Sequence, residues 1–185
     1  MRRAMLLGAL LSAITVAPAA MAGSHVEEFH AVFSGFNEVG SLNAQSGAIH
    51  SDGRATLDLR LDRADQTLSF VLKFSGLSTP VTQAHIHFGK IHMAGGVMVF
   101  FCSNNPNPPT GTQPCPANGG TVTGTLSAAN VLGIGTQNIT AGDFQDLVDA
   151  LESDTAYGNI HTMGFLAGEI RGEIRRGFGF GLHDE

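Results

Sequence analysis

Two histidines, His85 and His87, are separated by a single residue within residues 82–89. Residues two apart in a β-strand point to the same face, with Cα atoms roughly 6.6–7 Å apart, so the two imidazoles are expected side by side. A third imidazole, that of His161, is available from residues 157–162. A His-x-His strand with one remote histidine is a common way to build a copper or zinc site. The same arrangement is compatible with a buried polar network that binds nothing.

Two further residues are weaker metal-ligand candidates. His92 follows His87 by five residues and could return over the same patch. Glu38 could supply a carboxylate ligand, or a partner to a ligating histidine. We favour the simpler interpretation of Glu38, a turn-forming carboxylate that accepts hydrogen bonds from backbone N–H groups.

Five short motifs in the same order resemble the bacterial form of the CHRD domain, over about residues 29–175. They are Ser34-Gly35-Phe36-Asn37-Glu38, Gly53-Arg54-Ala55-Thr56-Leu57, Ala84-His85-Ile86-His87, Tyr157-Gly158-Asn159-Ile160-His161-Thr162 and Gly168-Glu169-Ile170-Arg171-Gly172. The resemblance carries over no catalytic residue. One departure is Gly40, where the family usually has proline, and we expect a looser turn there.

The first residues have the pattern of a secretory signal. Arg2-Arg3 precedes an apolar stretch at residues 6–16, and Ala20-Met21-Ala22 forms a small-x-small cleavage site. The apolar stretch is too short for a membrane span of about 20 residues. We expect a signal peptide at 1–22, a CHRD domain at 23–176 and a flexible tail at 177–185, in a periplasmic or secreted protein.

Removing that signal would also remove two of the 10 basic residues, leaving 8 against 16 acidic residues and a net charge near −8. An acidic surface argues against binding to nucleic acid or to anionic membranes, both of which require clustered Lys and Arg. The chain has two cysteines, Cys102 and Cys115. In an oxidising compartment they are expected to pair, and their spacing does not match that of a zinc knuckle.

Most of the chain alternates apolar and polar residues with period two, which indicates β-strands with one buried face. Residues 55–62 and 68–74 form the clearest antiparallel hairpin, with a core of Leu57, Leu59, Leu68, Phe70 and Leu72. Further strands are predicted at residues 26–33, 47–51, 81–88, 96–102, 121–126 and 168–176. The last of these alternates Ile170 and Ile174 with charged residues, which predicts a solvated outer face.

One segment has helical spacing. An N-cap at Thr140 followed by Phe144, Leu147, Val148 and Leu151 predicts a helix over residues 141–152. The chain is therefore expected to be all-β, a Greek-key antiparallel β-sandwich with one short helix, similar in architecture to superoxide dismutases.

The favoured function is that of an exported CHRD-domain protein that holds a metal ion at the histidine cluster, with copper favoured over zinc. One alternative is a metal-free module that contacts an exported protein partner. A second alternative is a copper-only redox enzyme similar to superoxide dismutase. Enzyme activity is not favoured, because no nucleophile-elbow serine, phosphate-binding loop or HExxH pattern occurs. No organic cofactor is expected.

Overall fold

The computed structural model describes residues 26–40 and 47–177. The expected signal peptide lies outside these residues, as does the expected tail except for Gly177. Within the described ranges, no helix is long and apolar enough to cross a membrane.

The described residues contain nine strands and one α-helix. The strands are β1 Val26–Ser34, β2 Arg54–Asp62, β3 Thr67–Ser75, β4 Val81–Phe88, β5 Gly96–Ser103, β6 Gly120–Leu126, β7 Ala156–Thr162, β8 Ile170–Glu173 and β9 Arg175–Arg176, and the helix is α1 Phe144–Glu152. The strand order is β5-β4-β7-β8-β1-β2-β3-β6, with β9 also paired to β1 and every pairing antiparallel. The end strands β5 and β6 approach each other, so the sheet is nearly closed into a barrel or sandwich. The expected fold class is confirmed.

The core is built from the inward positions of the predicted hairpin. Leu57 lies opposite Leu72, and Leu59 lies opposite Phe70. All five side chains predicted for this core are buried: Leu57, Leu59, Leu68, Phe70 and Leu72. Burying a large apolar side chain stabilises the fold by about 1.5–3 kcal/mol, so this pattern is sufficient to fix the hairpin register.

The helix begins later than predicted. It starts at Phe144, and Asp143 is its N-cap, with the side chain accepting a hydrogen bond from the Gln145 N–H at 2.9 Å. Thr140 instead donates its backbone N–H to the Asp146 carboxylate at 2.8 Å. The predicted apolar face, Phe144, Leu147, Val148 and Leu151, is buried.

Two predicted strands differ from the structure. Residues 47–51 form no strand, although the Ile49 N–H donates to the Gly35 carbonyl at 2.7 Å. The strand expected at 168–176 is divided into β8 and β9. Its charged residues are not all solvated, since Glu169 and Arg171 are fully buried. The predicted solvated face is therefore wrong at these two positions.

The strand β7 is buried along its whole length. One of its faces packs on the apolar core, and the other lies beneath the β4–β5 and β7–β8 loops. This second face carries polar and aromatic side chains.

Candidate metal centre

His85 and His87 project from β4 on the side away from the apolar core. Ala84 and Ile86 occupy the alternate positions and are completely buried in that core. The neighbouring strand β7 runs antiparallel to β4, with Gln83 opposite His161. This register places His161 beside the two β4 histidines.

The three imidazoles form one compact group. The His85 ring lies between the other two, with centroid distances of 4.5 Å to His87 and 4.6 Å to His161, while those two centroids are 6.4 Å apart. One ring nitrogen from each histidine lies within 4.8 Å of the other two. A trigonal ion with bonds of 2.0–2.1 Å would hold such nitrogens roughly 3.5 Å apart, so small ring movements would complete the site.

Backbone carbonyls fix the orientation of two of the rings. Nδ1 of His87 lies 2.8 Å from the Gly95 carbonyl oxygen, and Nδ1 of His161 lies 2.8 Å from that of Leu166. A carbonyl can only accept a hydrogen bond, so Nδ1 is the protonated nitrogen in both rings. Each Nε2 is therefore left with a free lone pair, as in a metal-ligating histidine whose other nitrogen is anchored.

The nitrogens that remain are buried and unsatisfied. Nε2 of His87, Nε2 of His161 and both ring nitrogens of His85 have no hydrogen-bond partner among the residues described. The edge of His85 instead meets the Phe100 ring, at a centroid distance of 5.0 Å and an interplanar angle of 73°. Leaving a buried polar atom unpaired costs about 1–3 kcal/mol, so four such atoms in one cluster require an explanation.

Burial keeps the three imidazoles neutral. Desolvation lowers the pKa of His85 well below its usual value, and the adjacent His87 and His161 lower it further. Desolvation also lowers the pKa of His87, to about 3, and that of His161. Neutral imidazole is the form that binds metal ions, so these ligands are available without the loss of a proton at neutral pH.

A stack of three side chains supports one edge of the cluster. The His87 and Tyr157 rings are 4.6 Å apart and inclined by only 6°. The Arg171 guanidinium lies over the Tyr157 ring, 3.4 Å from its centroid. The Tyr157 hydroxyl accepts a hydrogen bond from the Gly95 N–H at 3.0 Å. Gly95 thus contacts both His87 and Tyr157.

Arg171 holds the covering loop in place. Its guanidinium donates to the Met93 carbonyl at 2.9 Å and to the Lys90 carbonyl at 3.2 Å, and it pairs with Glu173 at 2.8 Å. Since Arg171 is fully buried, these contacts supply the partners that a buried cation requires. The β4–β5 loop is consequently pinned across the outer face of β7 and β8.

The two weaker candidates do not join the cluster formed by the described part of the chain. His92 is exposed and occupies a left-handed turn with φ 62°. Glu38 is buried, and its carboxylate accepts from the N–H groups of Val39 at 2.9 Å and Gly40 at 3.1 Å, and from the Asn159 amide. Burial raises the Glu38 pKa, and these hydrogen bonds oppose that shift.

The turn at residues 38–40 is closed by Gly40 and is not loosened by it. Gly40 has a φ of 80°, which is inaccessible to proline, and its N–H supplies one of the hydrogen bonds to Glu38. The glycine therefore closes the turn by a contact that proline could not make.

Tyr157, Arg171 and Asn159 were not singled out from the sequence as parts of the site. The signal that could have identified them is their position in the motifs: Tyr157 and Asn159 share a motif with His161, and Arg171 lies in the motif that follows, at residues 168–172. Glu169, which the alternating pattern placed on the surface, is buried and connects three separate segments of the chain. Its carboxylate accepts four hydrogen bonds: from the Ser51 hydroxyl, the Thr162 hydroxyl, and the hydroxyl and N–H of Ser78.

The two cysteines are bonded. Cys102 at the end of β5 joins Cys115, thirteen residues further along the chain. The bond closes the loop that leads from β5 towards β6.

A family model described as the CHRD domain matches residues 29–174 of the chain. No curated protein and no solved structure matches it.

Proposed function

The chain belongs to the CHRD domain family, and we propose that this member is an exported protein that holds a metal ion at His85, His87 and His161, with copper favoured over zinc. The observation that carries the proposal is a compact group of three histidines, each with a buried and unpaired ring nitrogen, in which one ring nitrogen of each residue lies within 4.8 Å of the other two. We infer no catalytic residue.

The energetic cost of the cluster supports a bound ion. Three neutral imidazoles on the outer face of a sheet could have been replaced by apolar side chains without leaving buried nitrogens unpaired. A bound ion would satisfy one lone pair from each ring. The anchored Nδ1 atoms of His87 and His161 would then stabilise the bound geometry by fixing the direction of each lone pair.

The chemistry of the donors favours copper. Divalent copper binds most nitrogen sites more tightly than zinc does, and imidazole is a ligand that suits copper. The site has no carboxylate ligand among the described residues, and hard oxygen ligands are what magnesium, calcium and manganese require.

The disulfide supports an exported location. Disulfides persist in the periplasm and outside the cell, whereas the cytosol keeps thiols reduced. Together with the signal-like first 22 residues, the Cys102–Cys115 bond is consistent with a periplasmic or secreted protein.

Copper titration of the untagged protein tests the proposal. Wild type would be compared with His85→Ala, His87→Ala and His161→Ala, and with His50→Ala as a matched control, since His50 is exposed and outside the cluster. We expect one copper ion per wild-type chain, unchanged affinity in the control, and at least about a tenfold weaker affinity in each cluster variant, equivalent to about 1.4 kcal/mol.

Equal affinity in all five proteins would remove the site. The metal-free interaction module would then be the better account.

A superoxide-dismutation assay on the copper-loaded protein separates binding from the redox-enzyme alternative. We expect no activity above free copper, because the ligand nitrogens are buried away from a soluble substrate.

A further inference from the structure

The ions that three imidazoles could bind differ in how many ligands they require, in whether they retain a water ligand and in how much charge must be buried. We propose that the histidine cluster selects copper in its monovalent state, Cu(I), over Cu(II) and over Zn²⁺. This inference rests on the proposed function and adds the oxidation state of the ion.

The first reason is the number of donors. The cluster offers three nitrogens, one from each histidine, and the described residues supply no fourth ligand to it. The nearby Glu38 carboxylate already accepts hydrogen bonds from two backbone N–H groups and from Asn159. Zn²⁺ favours four tetrahedral ligands and Cu(II) favours four in a tetragonal arrangement. Cu(I) carries a single charge and is stable with two or three ligands.

The second reason is that the unpaired nitrogens of the cluster are shielded from bulk solvent, which is the usual source of a missing fourth ligand. The three residues differ in overall exposure, but Nε2 of His87, Nε2 of His161 and both nitrogens of His85 are fully buried. His85 is 1% exposed and His161 is 8% exposed. A three-histidine zinc site ordinarily completes its coordination with a water molecule. Here the Phe100 ring and the loop that contains Leu166 lie against the cluster instead.

The third reason is charge. The ligands are neutral, so the full charge of the ion would be buried, and the Born cost of burial rises with the square of the charge. Dehydrating a divalent ion therefore costs about four times as much as dehydrating a monovalent ion of equal size.

Neighbouring charged groups do little to offset that cost. The fixed charge next to this stack is the Arg171 cation, which lies over the Tyr157 ring that stacks on His87. Glu173 is paired to Arg171, and Glu169 is held by hydroxyl and N–H donors. None of these carboxylates is hydrogen-bonded to a ring of the cluster.

The test is a set of competition titrations of the wild-type protein without oxygen. Cu(I) affinity would be measured against bicinchoninate, Cu(II) affinity against glycine, and Zn²⁺ affinity against a chromophoric zinc chelator. We expect Cu(I) to bind about a thousandfold more tightly than Cu(II), which raises the reduction potential of the bound couple above that of free copper by about 180 mV, since each factor of ten is 59 mV for one electron. Zn²⁺ should bind more weakly than Cu(I).

Two results would overturn the inference, and they have different meanings. If Cu(II) or Zn²⁺ binds as tightly as Cu(I), and His85→Ala abolishes that binding while His50→Ala does not, the metal site stands and the choice of oxidation state is wrong. If none of the three ions depends on His85, His87 or His161, both the inference and the proposed function fail.

Discussion

His87 and Tyr157 lie face to face, with ring centroids 4.6 Å apart and an angle of 6° between the planes. Tyr157 is the only tyrosine of the chain, and the chain has no tryptophan. The intrinsic fluorescence of the protein therefore originates beside one of the proposed ligands.

We expect metal loading to change that fluorescence. Cu(II) added in excess should quench most of the tyrosine emission of wild type, because a paramagnetic ion at His87 would lie within a few ångströms of the phenol ring. Fluorescence titration checks this, with His50→Ala as the control. Emission that stays constant while copper is bound would place the ion away from this stack.

The metal-free protein should lose stability as the pH falls below 6.5. In the unfolded chain the histidines bind protons near this pH, whereas burial lowers the folded-state pKa of His85, His87 and His161, that of His87 to about 3. The unfolded state then binds more protons, so the free energy of unfolding should fall by up to about 1.4 kcal/mol per pH unit for each of these histidines. Above pH 6.5 these histidines are neutral in both the folded and the unfolded chain, so this loss of stability does not occur.

Urea unfolding between pH 7 and pH 5 measures this slope before most carboxyl groups titrate. The variant His85→Phe, which removes one buried imidazole, should have a shallower slope, and His50→Phe should have the wild-type slope. A slope that none of the three histidines affects would mean that they are solvated. The same lowered pKa values should allow copper binding to persist below pH 6, where ordinary histidines are protonated.

Removing the disulfide should destabilise the fold without disrupting the cluster. Closing a thirteen-residue loop stabilises a protein by about 3 kcal/mol in the chain-entropy model. The free energy of unfolding of the double variant Cys102→Ser, Cys115→Ser, measured by urea unfolding, should therefore be lower by about that amount. Mass spectrometry with and without reductant should show a two-proton difference in wild type. Two free thiols in the native protein would contradict the bond.

Gly168 should tolerate no side chain. It has a φ of 122°, and a Cβ at this position would lie 2.4 Å from Oε2 of Glu38 and 2.8 Å from the Asn159 amide nitrogen. Gly168→Ala should therefore cost at least about 1–3 kcal/mol through backbone strain and displacement of Glu38. Gly135→Ala is the matched control, since no atom lies within 4 Å of its added Cβ. Thermal unfolding compares the two, and equal stability would contradict the role of the Glu38 contact.

The sequence was sufficient to predict most of the strands, because the period-two runs are long and their apolar faces are regular. The exceptions are residues 47–51, which form no strand, and residues 168–176, which are divided between β8 and β9. The β2–β3 hairpin follows the expected pattern residue by residue, with Leu59 opposite Phe70. The sequence offered His161 as a third imidazole, and the antiparallel pairing of β4 with β7 brings it next to His85. Period-two alternation indicates which face of a strand packs on the apolar core.

Periodicity could not predict that the outer face of β7 and β8 is also buried. Arg171 alternates with isoleucines as a surface residue would, yet it is buried because the β4–β5 loop, from a distant part of the chain, packs over it. The same loop supplies Gly95, which contacts both His87 and Tyr157. A loop that covers a sheet leaves no periodic signal in the strand that it covers, so the burial of the cluster was visible only in three dimensions.

X-ray absorption spectroscopy at the copper edge of the copper-loaded protein tests the central claim most directly. We predict three imidazole nitrogens at about 2.0 Å, with the outer-shell scattering that imidazole rings produce, and the loss of one imidazole in His161→Gln. An edge dominated by oxygen ligands, or by fewer than two imidazoles, would contradict a metal site formed by His85, His87 and His161.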